Sequence, residues 1–124
     1  MFPPRDFLVF SKMLSLVDEK TARTCIGRAY YAAHLSAREK VRTRYPRLFP
    51  CPLRGRRNEH KIVRKTMRKD LHRPDIALNL LQLSRKRVRA DYDLRNYLSQ
   101  TDFLIEAGRA ITLCETILTN LQSV

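Results

Sequence analysis

Apolar residues recur along this 124-residue chain at intervals of three and four, the spacing that places them on one face of a helix. No stretch shows the alternation of polar and apolar residues that is typical of a strand. The spacing predicts helical segments at residues 6–17, 22–44, 58–70, 74 to about 93, and from just after 99–102 to 121. The chain is therefore expected to be all-α.

The predicted helix boundaries depend on capping residues and helix breakers. Thr21 and Asn58 are candidate N-caps of the second and third helices, because their side chains can accept a hydrogen bond from the first turn. Pro74 suits the first turn of the fourth helix, and Ser99-x-x-Asp102 is a capping-box pattern before the last one. Three prolines and a glycine within residues 45–55 predict a loop.

The apolar faces indicate how these helices pack. The inner face of the second helix is predicted to contain Cys25, Ile26, Ala29, Tyr30, Ala33, Ala37 and Val41. The apolar face of the fourth is predicted to contain Ile76, Leu78, Leu80, Leu81 and Leu83. The last helix is apolar over more than one face, which indicates an oligomer interface. We expect residues 1–124 to form a single domain, an up-down bundle of four to five helices that forms a homodimer.

The net charge of +13 is concentrated in the middle of the chain. Residues 38–73 contain 14 Lys or Arg against 3 Asp or Glu, whereas residues 74–124 contain 6 of each kind. Such a patch attracts a polyanion through phosphate contacts and counterion release, which favours RNA as a partner. The predicted RNA-binding residues are Arg54, Arg56, Arg57, Lys61, Arg64, Lys65 and Arg68. A solvated basic face, or an adaptor surface for an acidic protein, is the alternative.

Composition argues against several other classes of protein. No apolar run could span a bilayer, and the N-terminus lacks the pattern of a secretion signal. Cys25, Cys51 and Cys114 are odd in number and far apart, which argues against a disulfide framework and against a zinc knuckle. The first and the last of them are expected in the core. No metal-ligand motif or glycine-rich phosphate loop occurs, so we expect no metal, no cofactor, no membrane partner and a cytoplasmic location.

The second helix contains the first pattern with candidate chemistry. Tyr30 is expected in the core with its hydroxyl satisfied at the edge. Arg28 lies in an apolar stretch, so its side chain is expected to extend to solvent or to pair with a carboxylate, for which Asp91 is the candidate. His34 lies four residues after Tyr30, but it lacks supporting neighbours and is left out of the predicted site.

The other two patterns with candidate chemistry are His60 and the end of the fourth helix. His60 opens a basic helix and could act as a general acid or base, with a surface histidine as the alternative. Arg87 could bind phosphate bidentately and stabilise a pentavalent phosphorus centre. Asp91 and Tyr92 could orient this arginine or transfer protons, although a plain surface ion pair of Arg87 with Asp91 is the alternative. The predicted catalytic set is Arg28, His60, Arg87, Asp91 and Tyr92.

Read in order, these patterns resemble those of the HEPN superfamily, the higher eukaryote and prokaryote nucleotide-binding domains. Small prokaryotic members have R-x-x-Y-Y-A in the second helix, which Arg28 to Ala32 matches with one residue fewer before the tyrosines. They have a histidine after a loop, matched by His60, and an R-x-x-A-D-Y turn, matched by Arg87 to Tyr92. The resemblance covers about residues 5–121, nearly the whole chain.

The resemblance implies a helical bundle that dimerises around a shared cleft. In active members an R-x(4–6)-H motif from each subunit faces that cleft, and the RNA 2′-hydroxyl attacks the adjacent phosphate without a metal ion. The histidine serves in proton transfer and the arginine stabilises the transition state. This chain departs from the pattern, because Asp91 stands where the motif has its histidine. His60 is the candidate to replace it, if the fold brings it to Arg87.

These expectations lead to two functions. The first is a metal-independent endoribonuclease, acting as a toxin of a toxin–antitoxin module or as a defence effector. The second, motivated by the missing histidine, is a non-catalytic HEPN dimer that binds RNA or a nucleotide. In the second case a nucleotidyltransferase antitoxin or another protein could be the partner, and Tyr92 is the tyrosine to examine for nucleotidylation.

Overall fold

The computed structural model describes residues 3–13, 19–48, 56–92 and 100–124, and these residues are helical with short connections and no strand. They form α1 (Arg5–Met13), α2 (Glu19–Arg44), α3 (Arg56–Lys69), α4 (Pro74–Tyr92) and α5 (Gln100–Leu121), with a 3-10 turn at Pro46–Leu48. The prediction of an all-α chain is confirmed. Within these residues, no helix is long and apolar enough to cross a membrane.

Helix α2 lies at the centre and packs against the other four helices. Every residue of its predicted inner face is buried, at 2% exposure or less. Five buried alanines of this helix are Ala22, Ala29, Ala32, Ala33 and Ala37. Because the distance between two packed helices depends on the side chains at their contact, these alanines let the neighbouring helices approach α2 closely.

Two of the predicted N-caps are wrong. Helix α2 begins at Glu19 and helix α3 at Arg56, so Thr21 and Asn58 both lie inside the first turn of their helices. Glutamate, lysine and arginine are good helix formers, and nothing before Thr21 or Asn58 stops the helix from extending upstream. Pro74 is the first residue of α4, as predicted. Residues 14–18, 49–55 and 93–99 lie outside the described residues, including the rest of the predicted loop and Ser99.

The apolar faces of α4 and α5 are narrower than predicted. Leu78 is 55% exposed, because two residues along a helix turn it about 200° away from the buried Ile76. On α5 most apolar residues face the core: Phe103, Ala107, Ala110, Cys114, Ile117, Leu118 and Leu121 are all buried. On the predicted second face of α5, Ile105 is exposed. The other apolar residues of that face are partly buried and pack against the core.

Buried polar contacts fix α1 on α2. The hydroxyl of Ser11 lies 3.0 Å from the carbonyl oxygen of Phe7 and 3.1 Å from that of Cys25. The Cys25 thiol donates to the Ser11 carbonyl at 3.7 Å. Burial raises the pKa of the Cys25 thiol and raises the pKa of Cys114 to about 12, so both thiols stay protonated in the core. Their predicted core position is confirmed, whereas Cys51 lies outside the described residues.

The turn between α3 and α4 predicts a stabilising substitution. His72 has a φ of 54°, in the left-handed region that costs a residue with a Cβ about 1–2 kcal/mol. We expect His72→Gly to raise the free energy of unfolding by about 1 kcal/mol in chemical denaturation. His72→Ala keeps the Cβ and removes the imidazole, so it serves as the control. A glycine variant no more stable than the alanine variant would contradict this account of the turn.

Candidate functional site

Side chains from α2, α3 and α4 meet around the hydroxyl of Tyr30. Tyr30 is 2% exposed, and its hydroxyl is hydrogen-bonded to Nδ1 of His60. The guanidinium carbon of Arg87 lies 5.1 Å from the centroid of the Tyr30 ring, and Nη1 of Arg87 donates to the hydroxyl of Tyr31 at 2.9 Å. The structure thus brings His60 and Arg87, from two separate sequence patterns, onto the same tyrosine. We call Tyr30, Tyr31, His34, His60 and Arg87 the Tyr30 cluster.

His34 belongs to this cluster although it was left out of the predicted site. Its ring stacks on that of His60 with centroids 3.9 Å apart, and it is parallel to the Tyr30 ring within 6°. Only 4% of His34 is exposed. The i,i+4 spacing of Tyr30 and His34 was the signal in the sequence, but nothing local indicated that α3 would bring a second imidazole there.

Both imidazoles of the cluster are neutral at pH 7. Burial lowers the pKa of His34 to about 3, assisted by the positive charges of Arg38, Arg64 and Arg87. Burial also lowers the pKa of His60, and the nearby Arg87 acts in the same direction. The 3.7 Å between Nε2 of His34 and Glu59 therefore joins a neutral ring to a carboxylate and is not an ion pair.

The polar groups beside the two imidazoles are already engaged. The Glu59 carboxylate accepts from Nε of Arg38 at 2.6 Å, which neutralises both groups. Burial raises the pKa of the Tyr30 phenol, although the hydrogen bond with Ser84 and the charge of Arg87 act against this shift. Tyr30 therefore keeps its proton at neutral pH and is available as a hydrogen-bond donor.

Arg28 lies beside the cluster in a neighbouring cleft. This cleft has a volume of about 360 Å³ and is lined by Arg23, Thr24, Gly27, Arg28, Tyr31 and Ala90. The guanidinium carbon of Arg28 lies 5.8 Å from the centroid of the Phe7 ring. Tyr31 joins the cleft to the cluster, because it lines the cleft and accepts the hydrogen bond from Arg87.

The remaining predicted catalytic residues are Asp91 and Tyr92. They are the last two residues of α4, but their side chains lie outside the described part of the structure. The predicted pairs of Asp91 with Arg28 and with Arg87 therefore stay predictions.

The predicted RNA-binding residues divide into three groups. Lys61, Lys65 and Arg68 are exposed and spaced by four and three residues, so they form one stripe on α3, which we call the α3 stripe. Arg64 is half-buried, and its charge acts on the rings of Tyr30, His34 and His60. Arg56 and Arg57 open α3 with side chains outside the described residues, and Arg54 lies wholly outside them.

This arrangement has the chemistry of an anion site. It combines a guanidinium, a half-buried neutral imidazole and two phenols, with a further arginine close by. Such groups donate hydrogen bonds to phosphate oxygens, and an imidazole can also transfer protons. In the described portions of the chain, no group of three or more His, Cys, Asp or Glu is placed to hold a metal ion.

The buried histidines predict a pH-dependent stability. A histidine with a pKa of 6.5 when unfolded and about 3 when folded stabilises the fold fully above pH 6.5 and less as the pH falls. Between pH 7 and pH 5 this lowers the free energy of unfolding by about 2 kcal/mol for His34. Chemical denaturation across that range should show the loss reduced in His34→Gln and unchanged in the exposed control His72→Gln. Equal losses in both variants would contradict the assignment.

Comparison with known proteins identifies no relative of this chain. No family model, no curated protein and no solved structure matches the chain.

Proposed function

We propose that this protein is an RNA-associated, HEPN-type protein that cleaves RNA without a metal ion, with the Tyr30 cluster as its active site. One observation carries the proposal: His60 and Arg87 meet at Tyr30 although they come from different helices. This supplies an imidazole next to the arginine in a chain that has Asp91 at the usual histidine position of the motif. A toxin or defence effector is the biological setting in which we expect this activity.

The reaction follows from the chemistry of RNA. The 2′-oxygen attacks the adjacent phosphorus, the bond from phosphorus to the 5′-oxygen breaks, and a 2′,3′-cyclic phosphate and a 5′-hydroxyl result. A proton leaves the 2′-hydroxyl and another reaches the 5′-oxygen, so a residue that handles protons is needed, and His60 is our candidate. Arg87 stabilises the charge that develops on the phosphoryl oxygens, and the Tyr31 hydroxyl positions it at 2.9 Å.

The α3 stripe is the surface on which we propose that RNA binds. Lys61 directly follows His60 in the chain, and Lys65 and Arg68 continue along the same helix. A strand held by these exposed cations lies beside the helix that supplies the imidazole. Arg64 adds positive charge near the cluster, where a phosphate would be bound. By the same resemblance we propose a homodimer whose two clusters share one cleft.

A non-catalytic binding protein is the second candidate, favoured by two observations. The motif histidine is replaced by Asp91, and the pKa of His60 is lowered by burial and by Arg87, so protonated His60 is scarce at neutral pH. A site composed of donors binds phosphate well even when it transfers no proton. In this case the HEPN dimer would hold RNA or a nucleotide, or act with a nucleotidyltransferase partner.

Cleavage in the presence of EDTA tests the first candidate. End-labelled single-stranded and structured RNAs should be cut to products that carry a 2′,3′-cyclic phosphate, and a substrate with 2′-deoxyribose at the cut site should resist. We expect His60→Ala and Arg87→Ala each to reduce the rate by about 100-fold or more. His72→Ala and Arg85→Ala, at exposed positions, are the matched controls.

The outcomes of this experiment separate the two candidates. Binding without cleavage by the wild-type protein would favour the binding protein. Cleavage that survives both cluster variants would show that a contaminant or another site cuts the RNA. Thermal unfolding of Arg87→Ala and Arg87→Lys identifies any loss that comes from misfolding of this half-buried position.

The α3 stripe predicts how RNA binding depends on salt. Each phosphate contact to a single strand contributes about 0.7 to the slope of log affinity against log salt concentration. We therefore expect the triple variant Lys61→Ala, Lys65→Ala, Arg68→Ala to reduce that slope by about 2 in fluorescence-anisotropy titrations. The control Lys12→Ala, Arg85→Ala, Arg109→Ala removes the same charge from other helices. Equal slopes for the two triple variants would refute the assignment of this stripe.

A further inference from the structure

We propose that Tyr30 holds neutral His60 with its proton on Nε2, so that the nitrogen left for substrate is a hydrogen-bond donor. The contact is a property of the fold. Its meaning for RNA chemistry rests on the function proposed above, in which His60 belongs to the active site. Tyr30 is then a positioning residue, because it acts on substrate only through His60.

The geometry assigns the two ring nitrogens of His60 different tasks. Nδ1 is hydrogen-bonded to the Tyr30 hydroxyl, inside the bundle. Among the described residues, Nε2 has no hydrogen-bond partner, and the residue as a whole is half-buried. The stacked ring of His34, 3.9 Å away, restricts how the His60 ring can turn. A substrate can therefore reach His60 only through Nε2.

The direction of the Tyr30–His60 hydrogen bond decides the tautomer. A phenol is a stronger donor than a neutral imidazole N–H, and an unprotonated ring nitrogen is a stronger acceptor than a phenol oxygen. The bond is therefore stronger when Tyr30 donates to Nδ1, which leaves the imidazole proton on Nε2.

This tautomer gives the site a defined chemistry. Around a bound phosphate, the Nε2–H of His60 and the guanidinium of Arg87 would both donate to phosphoryl oxygens. In its resting form His60 therefore cannot accept the proton of the 2′-hydroxyl at Nε2, and that proton passes to water. The neutral ring donates a hydrogen bond from Nε2 to a phosphoryl oxygen. Only the protonated ring transfers its Nε2 proton to the departing 5′-oxygen, and the ring is neutral again afterwards. Because both donors come from rigid helices, the phosphate meets groups that are already oriented.

Nitrogen-15 NMR of the histidine side chains tests the proposal directly. In the wild-type protein at pH 7, Nε2 of His60 should have the chemical shift of a protonated ring nitrogen and Nδ1 that of an unprotonated one. In Tyr30→Phe the donor to Nδ1 is lost, so both shifts should move toward the averaged values of exposed His72. The His60 titration midpoint should also rise by about half to one pH unit, since a hydrogen bond favouring the neutral form is removed.

A further variant keeps the test specific. Tyr31→Phe removes the neighbouring hydroxyl, which contacts Arg87, and should leave the His60 tautomer unchanged. If Tyr30→Phe fails to fold, the wild-type spectrum still decides the question.

A wild-type spectrum with the proton on Nδ1 would overturn the proposal. So would a tautomer that is the same in wild type and Tyr30→Phe. These spectra are recorded without RNA, so their outcome is independent of cleavage. An inactive protein with the Nε2–H tautomer would reject the nuclease and keep the inference, and an active protein with the Nδ1–H tautomer would do the reverse.

Discussion

The candidate site depends on the need to satisfy one buried hydroxyl. Tyr30 lies on the buried face of α2, where its ring packs in the core and its oxygen is removed from water. An unsatisfied buried polar group costs about 1–3 kcal/mol, so the fold has to bring a partner to that oxygen. His60 of α3 is that partner. The same contact that completes the core therefore also joins α2 to α3 and orients the imidazole.

The positive field around the cluster follows from where the charges lie along the chain. The basic segment 38–73 includes the end of α2 and all of α3, and α4 adds Arg87 from the opposite side. Glu59 lies 3.7 Å from Nε2 of His34 and is engaged by Arg38 at 2.6 Å. Burial, assisted by a field of this sign, keeps the imidazoles neutral, and the field attracts an anion into the site. Burial, charge and hydrogen bonding thus point to the same ligand chemistry.

Local patterns in the sequence were enough to predict the helices and the inner face of α2, because both depend on periodicity. Spacing also predicted Leu78 in the core, and residue type predicted Thr21 and Asn58 as N-caps. All three predictions are wrong, because these local patterns fix neither the angle of a residue around its helix nor the residue at which the helix starts. For the site, Arg87 and His60 were predicted, whereas His34 and Tyr31 were not. Their roles depend on contacts between residues that are 26 to 56 positions apart, such as His34 with His60 and Tyr31 with Arg87.

The central claim is that RNA phosphate engages His60 in the Tyr30 cluster. The most direct measurement is a titration of the nitrogen-15-labelled protein with a short 2′-O-methyl RNA, which cannot be cleaved by 2′-oxygen attack. We expect the side-chain resonances of His60 to shift along the binding curve while those of exposed His72 stay in place. Saturation of binding with the His60 resonances unmoved would show that RNA binds elsewhere on the protein and would contradict the account.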